Sequence, residues 1–268
     1  HIVVSGREID FRVATNPGYF GEKVVLRILD KSAVVLELPQ LGFSARDLTI
    51  VRRNITRPHG IIVITGPTGS GKSTTLYSAL SSLNAVEKNI VTVEDPVEYQ
   101  LEGITQHQVN AEIGLTFAAI LRSIMRQDPD IIMVGEIRDL ETAQIAVRAS
   151  LTGHLVFSTL HTNDAPSAVA RLLDLGADPA LIASTLRCVL SQRLARTICM
   201  KCKTDVVYAP SDIPGLPPEL KGNPLKVKRG KGCRECFSTG YRGRTVFAEA
   251  FEITDRVREQ VVERRSAP

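Results

Sequence analysis

Gly66-Pro67-Thr68-Gly69-Ser70-Gly71-Lys72-Ser73 decides how the rest of this chain is read. The stretch fills every fixed position of the G-x-x-x-x-G-K-[ST] phosphate loop. Its glycines let the backbone curl tightly enough to aim successive N–H groups at phosphate oxygens. Lys72 is placed to reach the β- and γ-phosphates of a nucleoside triphosphate, and the Ser73 hydroxyl to hold Mg²⁺. The flanks agree with this reading. Ile61-Ile62-Val63-Ile64 is a short apolar run of strand type, and Leu76, Ala79, Leu80 and Leu83 follow at helical spacing. Phosphates would therefore meet a helix N-terminus, where unpaired N–H groups and the helix dipole favour negative charge.

Outward from the loop, strand-like and helix-like segments alternate. Strands are expected over 61–64, 90–93, 130–134 and 155–158, with helices near 115–127, 140–151 and 164–175. This rhythm predicts an α/β fold, a mostly parallel sheet covered by helices, with ligands at the carboxyl ends of the strands. A further helical stretch is expected over 180–195, opened by Pro179 and holding Cys188 as a small core residue. Two strands end in acids. Asp130-Ile131-Ile132-Met133-Val134-Gly135-Glu136 would deliver a carboxylate beside Mg²⁺, and Ile90-Val91-Thr92-Val93 leads to Glu94, Asp95 and Glu98, one of which is positioned to orient water and accept its proton. His161 follows the strand Leu155–Ser158, where it would sense the γ-phosphate.

Upstream, residues 1–30 alternate apolar and polar. Ile9, Phe11 and Val13 share one face, with Arg12 on the other; Val24, Leu26 and Ile28 repeat the pattern around Arg27. Asn16-Pro17-Gly18 is expected to turn the chain between the two strands. The beginning His1-Ile2-Val3-Val4 reads as the inside of a strand, so the chain is expected to be a fragment. Phosphoryl transfer needs positive charge at the γ-phosphate. Arg122, Arg126 and Arg138 are candidates in the core, and Arg12 and Arg27 in the hairpin. The arrangement predicts a site completed across domains or subunits.

Four of the five cysteines form two C-x-x-C pairs, Cys199/Cys202 and Cys233/Cys236. Two such knuckles can present four thiolates tetrahedrally to Zn²⁺. The long insert between them must fold back, and Pro210, Pro214, Pro217 and Pro218 predict a loop-rich excursion. Disulfides would suit a secreted protein. The chain shows neither a signal-type apolar core nor an apolar run long enough to span a bilayer, which predicts a soluble, cytosolic protein. Net charge is only +4, from 33 basic and 29 acidic residues, too weak a balance to argue for a nucleic-acid partner.

Several runs together resemble the type II secretion and type IV pilus assembly ATPases, the GspE/PilB-like family. They are Arg12-Val13-Ala14-Thr15 with Gly21 to Leu29, the phosphate loop with Thr74-Thr75-Leu76-Tyr77, Glu94-Asp95-Pro96-Val97-Glu98-Tyr99, Leu121 to Asp139, and Leu151-Thr152-Gly153-His154 to His161-Thr162-Asn163. The resemblance implies a hexameric motor with a RecA-like P-loop NTPase core, a zinc-binding tetracysteine insert and part of a small α+β N-terminal domain. It implies that ATP binds along Gly66–Thr74, that Glu98 is the general base of an "Asp box", and that Glu136 is the Walker B carboxylate on Mg²⁺. His161 is then the "His box" sensor, and Arg12 and Arg27 are arginines that reach the nucleotide from the N-terminal domain. The tetracysteine insert is similar to that of the assembly branch and is missing from the retraction branch.

The expected organisation is a partial N-terminal domain (1–37), a linker (38–44), the ATPase core (45–195), the tetracysteine subdomain (196–240) and a truncated C-terminal segment (241–268). The implied partners are five further copies and the adaptor and platform proteins of an inner-membrane machine, to which the chain would be peripheral. Two other classes are weighed. A RecA-like nucleic-acid motor needs stacking aromatics in basic grooves, yet aromatics are 5 % and Trp is absent. A non-hydrolysing switch would not need Lys72, Glu98 and Glu136 together. A GTPase would carry an Asn-Lys-x-Asp motif, which does not occur.

Overall fold

The computed structural model describes residues 2–4, 7–30, 37–220 and 222–263. The expectations for 31–36 and for the tail 264–268 fall outside the described residues.

Strands β1 (Ile2–Val4), β2 (Arg7–Gly18) and β3 (Gly21–Asp30) form an antiparallel sheet. Its reversal lies at Tyr19-Phe20, with Gly18 paired to Gly21. The expected turn at Asn16-Pro17-Gly18 is thus displaced: Asn16 pairs with Lys23 and Pro17 with Glu22, and Gly21 after the tip takes a φ of 121°, which glycine alone adopts readily. In the stretch expected as a linker, Leu38–Leu41 forms a 3₁₀ turn with both leucines buried.

The rest alternates as the pattern predicts. In chain order come α1 (Ala45–Ile55), β4 (Gly60–Thr65), α2 (Lys72–Leu83), β5 (Ile90–Glu94), β6 (Thr105–Gln108) and α3 (Phe117–Ile124). Then follow β7 (Ile131–Val134), α4 (Leu140–Leu151), β8 (Leu155–Leu160), α5 (Ala165–Asp174), α6 (Pro179–Thr185) and β9 (Leu186–Ile198). A seven-stranded sheet has the order β12-β9-β4-β8-β7-β5-β6, where β12 is Tyr241–Glu252. β4 pairs in parallel with β8 and β9, β7 with β8 and β5, and β5 with β6. Strands buried on both faces read as near-continuous apolar runs; β4, β5, β7 and β8 are buried throughout and mostly apolar, with polar interruptions such as Thr92, Glu94, Ser158 and Thr159. Asp139, Asp164 and Thr116 cap α4, α5 and α3 through their side-chain oxygens.

The helix expected over 180–195 ends at Thr185, and Leu186 onwards is β9. Leu186, Val189 and Leu190 have helical spacing, but a buried run of this kind fits a strand equally, and the open edge of β4 decides for the strand. Cys188 is buried in it.

The chain divides into two compact units, one of 1–193 with 248–268, the other Leu194–Phe247. In the second, β10 (Lys203–Tyr208) pairs antiparallel with β11 (Leu225–Gly230). Short 3₁₀ turns at Pro210–Asp212 and Pro218–Leu220 lie in the proline-rich stretch between them. Helix α7 (Asp255–Val262) follows β12. No helix among the described residues is long and apolar enough to cross a membrane.

Candidate active site and candidate metal centre

Four neighbouring parallel strands end at one edge of the sheet, and each hands the chain to one part of the site. β4 leads to the phosphate loop, β8 to His161, β7 to Glu136 and β5 to Glu94, Asp95 and Glu98. Gly66 leaves β4 with φ of 144°, and a Cβ there would lie 2.3 Å from the Gln192 carbonyl oxygen. Only glycine fits. The loop then opens α2, so Lys72 and Ser73 stand at its first turn. Lys72 Nζ donates to the carbonyls of Gly66 (2.8 Å) and Pro67 (3.2 Å). Desolvation lowers the Lys72 pKa, while the charge of Glu136 opposes that shift. Ser73 and Thr74 are exposed, as are Pro67, Thr68 and Gly69. The hydroxyl of Ser70, buried within the loop, has no hydrogen-bond partner among the described residues.

Glu136 is largely shielded and lies 3.5 Å from His161 Nε2. Arg138 pairs with Glu136 and, at 3.6 Å, with Asp95. The hydrogen bond to Glu136 raises the Arg138 pKa further. Backbone and hydroxyl bonds fix these turns: Thr159 Oγ1 donates to the Gly135 carbonyl at 2.6 Å, and Thr65 Oγ1 accepts the Thr162 N–H at 2.8 Å. The structure therefore brings Lys72, Glu136 and His161 together. Glu98 stands exposed on the neighbouring loop. Arg122 pairs instead with Glu141, and Arg126 donates to the Arg122 carbonyl. Arg12 and Arg27 are exposed and directly opposite each other in the hairpin. No hydrogen bond or ion pair between described residues joins either to the phosphate loop.

Sequence reasoning missed Gln192. It is buried in β9, and its side chain donates to the Ser70 carbonyl at 2.8 Å and accepts from Thr75 Oγ1 at 2.9 Å. A single amide thus braces the loop and the helix it opens. The one available signal was that Ser191 and Gln192 directly continue the apolar run Cys188-Val189-Leu190.

In the second unit the four sulfur atoms of Cys199, Cys202, Cys233 and Cys236 all lie within 4.8 Å of one another. Cys199 Sγ is 3.9 Å from Cys233 Sγ, and Cys236 Sγ is 3.8 Å from Cys202 Sγ and 3.7 Å from Cys233 Sγ. A tetrahedral zinc with bonds of about 2.3 Å has sulfur–sulfur edges of about 3.8 Å. Disulfides would need about 2.05 Å. Burial pushes the Cys236 thiol up, but the N–H groups of Cys233 and Gly240 donate to its sulfur and hold it down at about 6. The knuckles close because β10 and β11 return the chain, ending on the pair Lys203–Gly230. At Gly230 a Cβ would fall 2.0 Å from the Gly240 carbonyl oxygen, so the two backbones can approach only without one. The donor set and its spacing fit Zn²⁺.

The family described as "Type II/IV secretion system protein" matches residues 1–267. The chain belongs to that family. It is 54 % identical over 258 residues to a type II secretion system protein E of Aeromonas hydrophila, covering 96 % of this chain and 51 % of the relative. It is 52 % identical over 265 residues to the type IV pilus assembly ATPase PilB of Myxococcus xanthus, covering 98 % of this chain and 47 % of that one. The chain thus spans about half the length of the curated relatives it matches. Among solved structures, the pilus retraction motor PilT with bound ADP is similar, at a TM-score of 0.66 and 29 % identity, covering 97 % of this chain and 66 % of that one. A DotB ATPase of Legionella pneumophila has the same fold, at a TM-score of 0.65 and 23 % identity.

Proposed function

We propose that this chain hydrolyses ATP within a homohexameric motor that drives pilin or pseudopilin assembly, for type II secretion or type IV pilus biogenesis. The observation that carries the reading is the convergence of Lys72, Glu136 and His161 on one edge of a parallel sheet, beside a complete phosphate loop. The loop, Gly66 to Thr74, grips the phosphates through its N–H groups, and Lys72 exchanges its own loop carbonyls for β- and γ-phosphate oxygens. Ser73 and Glu136 are the residues that would hold Mg²⁺, which neutralises charge on the β- and γ-oxygens when bound. Glu98 accepts the proton of the water that attacks phosphorus as the bond to ADP breaks. His161, linked to Glu136, reports on the γ-phosphate.

Arg12 and Arg27 support a site completed by a second body. Like charges directly opposite across a sheet repel, and an anion between them relieves the repulsion. Residues 1–37 then donate cations to a triphosphate held by 45–195, either in the same chain or in a neighbouring copy, while 196–240 carries zinc. Domain closure on ATP and release after hydrolysis would transmit force to adaptor and platform proteins at the inner membrane, with the motor in the cytoplasm. The deciding experiment is ATP turnover and nucleotide affinity of the full-length protein with Arg27→Ala and with Arg12→Ala. Turnover should fall by about 10³-fold with affinity nearly kept. Equal loss of both would count against the scheme.

A further inference from the structure

Glu94, which ends β5, and Asp95 and Glu98, which follow it, have separate surroundings. Glu94 is only 4 % exposed. Its Oε1 accepts from Thr92 Oγ1 at 2.6 Å and Gln106 Nε2 at 3.0 Å, and its Oε2 accepts from the Tyr77 hydroxyl. Asp95 faces Arg138. Glu98 stands exposed, its backbone N–H donating, at 3.2 Å, to that same Tyr77 hydroxyl. Tyr77 belongs to α2, the helix that opens with Lys72, and is fully buried. Its ring meets Tyr99 edge to face at 4.5 Å. We propose that Tyr77 is a positioning residue for Glu98, its hydroxyl tying the phosphate-loop helix to the acidic loop and so setting where the Glu98 carboxylate meets water.

The geometry gives the hydroxyl one direction. Burial, and then the charge of Glu94, raise the Tyr77 pKa, so the proton stays on the hydroxyl and points at Glu94. A lone pair is left for the Glu98 N–H. The far end of the loop is held separately, since Gln106 accepts the Leu101 N–H at 2.7 Å and donates to the Tyr99 carbonyl at 3.3 Å. Loss of the hydroxyl therefore frees Glu98 without releasing the loop. Glu94, the first acid of the run, is an anchor for Tyr77 and has no open oxygen for nucleotide.

The proposal rests on Glu98 as the base. It is tested by steady-state ATP turnover of the full chain with Tyr77→Phe, Glu98→Ala and both together. Tyr77→Phe should lower kcat about ten- to a hundredfold with KM little changed, as expected for a displaced catalytic group. In the Glu98→Ala background it should cost nothing further, because the two act as one unit. If Glu98→Ala leaves turnover intact, the base assignment falls and this inference with it. If Glu98→Ala is impaired but Tyr77→Phe is silent or additive, only the Tyr77 inference falls. Amide exchange on the wild type gives a readout that survives misfolding of any variant: the Glu98 N–H should exchange slowly, and rapid exchange overturns the proposal.

Discussion

Removing metal from the tetracysteine unit should unfold that unit and leave the parallel sheet intact. The magnitude follows from what the unit lacks. Among the described residues between Leu194 and Phe247 the buried apolar ones are Cys199, Cys236 and Val246, two of them the proposed ligands. The large buried side chains, such as Leu76, Ile132 and Phe157, all belong to the other unit. A segment without an apolar core has little to set against the loss of backbone freedom, about 1–2 kcal/mol per residue. Structural zinc supplies about 10–16 kcal/mol, comparable with the whole stability of an ordinary domain. Zinc content should therefore be one per chain, and X-ray absorption should find four sulfurs at about 2.3 Å. With excess chelator, amide protection should vanish at Cys199, Cys236 and Gly240 while persisting in β4, β7 and β8. Cys236→Ser should lower zinc retention and protection in the same segment. Full-length protein that keeps its protection through Cys199–Gly240 with no bound metal would falsify the reasoning, and so would two short sulfur–sulfur bonds.

Three more outcomes are expected. Gly66→Ala should abolish nucleotide binding, measured by fluorescent-nucleotide titration, because its Cβ would fall 2.3 Å from the Gln192 carbonyl oxygen and the loop must shift. Gln192→Leu strands the Ser70 carbonyl and the Thr75 hydroxyl, each costing about 1–3 kcal/mol when buried and unpaired; thermal melting should show the loss and a nucleotide titration should weaken with it. The Cys188 thiol is pushed up to about 12, by burial first and then by Glu252. It should stay protonated and resist alkylation at pH 8 in the folded protein, reacting only after denaturation, and mass spectrometry reads this directly. Because that pKa is raised in the folded state, folding favours the protonated thiol. The resulting stability is present below the ordinary thiol range near 9 and is lost as pH rises towards 12.

Legibility varied with the kind of signal. Phosphate-loop residues were readable because each carries a local requirement: glycine at Gly66 for a positive φ, a cation at Lys72, a hydroxyl at Ser73. The strands β4, β5, β7 and β8 were readable as apolar runs. β6 was not, since Thr105-Gln106-His107-Gln108 is polar and becomes a strand only by pairing with β5. The same holds for Leu186–Ile198, whose helical spacing yields to the edge of β4. Arginines were legible as candidates but not by contact. Arg122 turned to Glu141, whereas Arg138 lies between Glu136 and Asp95.

The amino-acid order alone determined the family, the phosphate grip and the four thiolates, because each is written in residue types at short, fixed separations. Tertiary structure alone decided which acid is buried and which is open, and it brought Gln192 and Tyr77 to the loops they brace. Those choices depend on hydrogen bonds between groups far apart in the chain, such as Gln192 with Ser70 and Thr75, and local spacing carries no record of them.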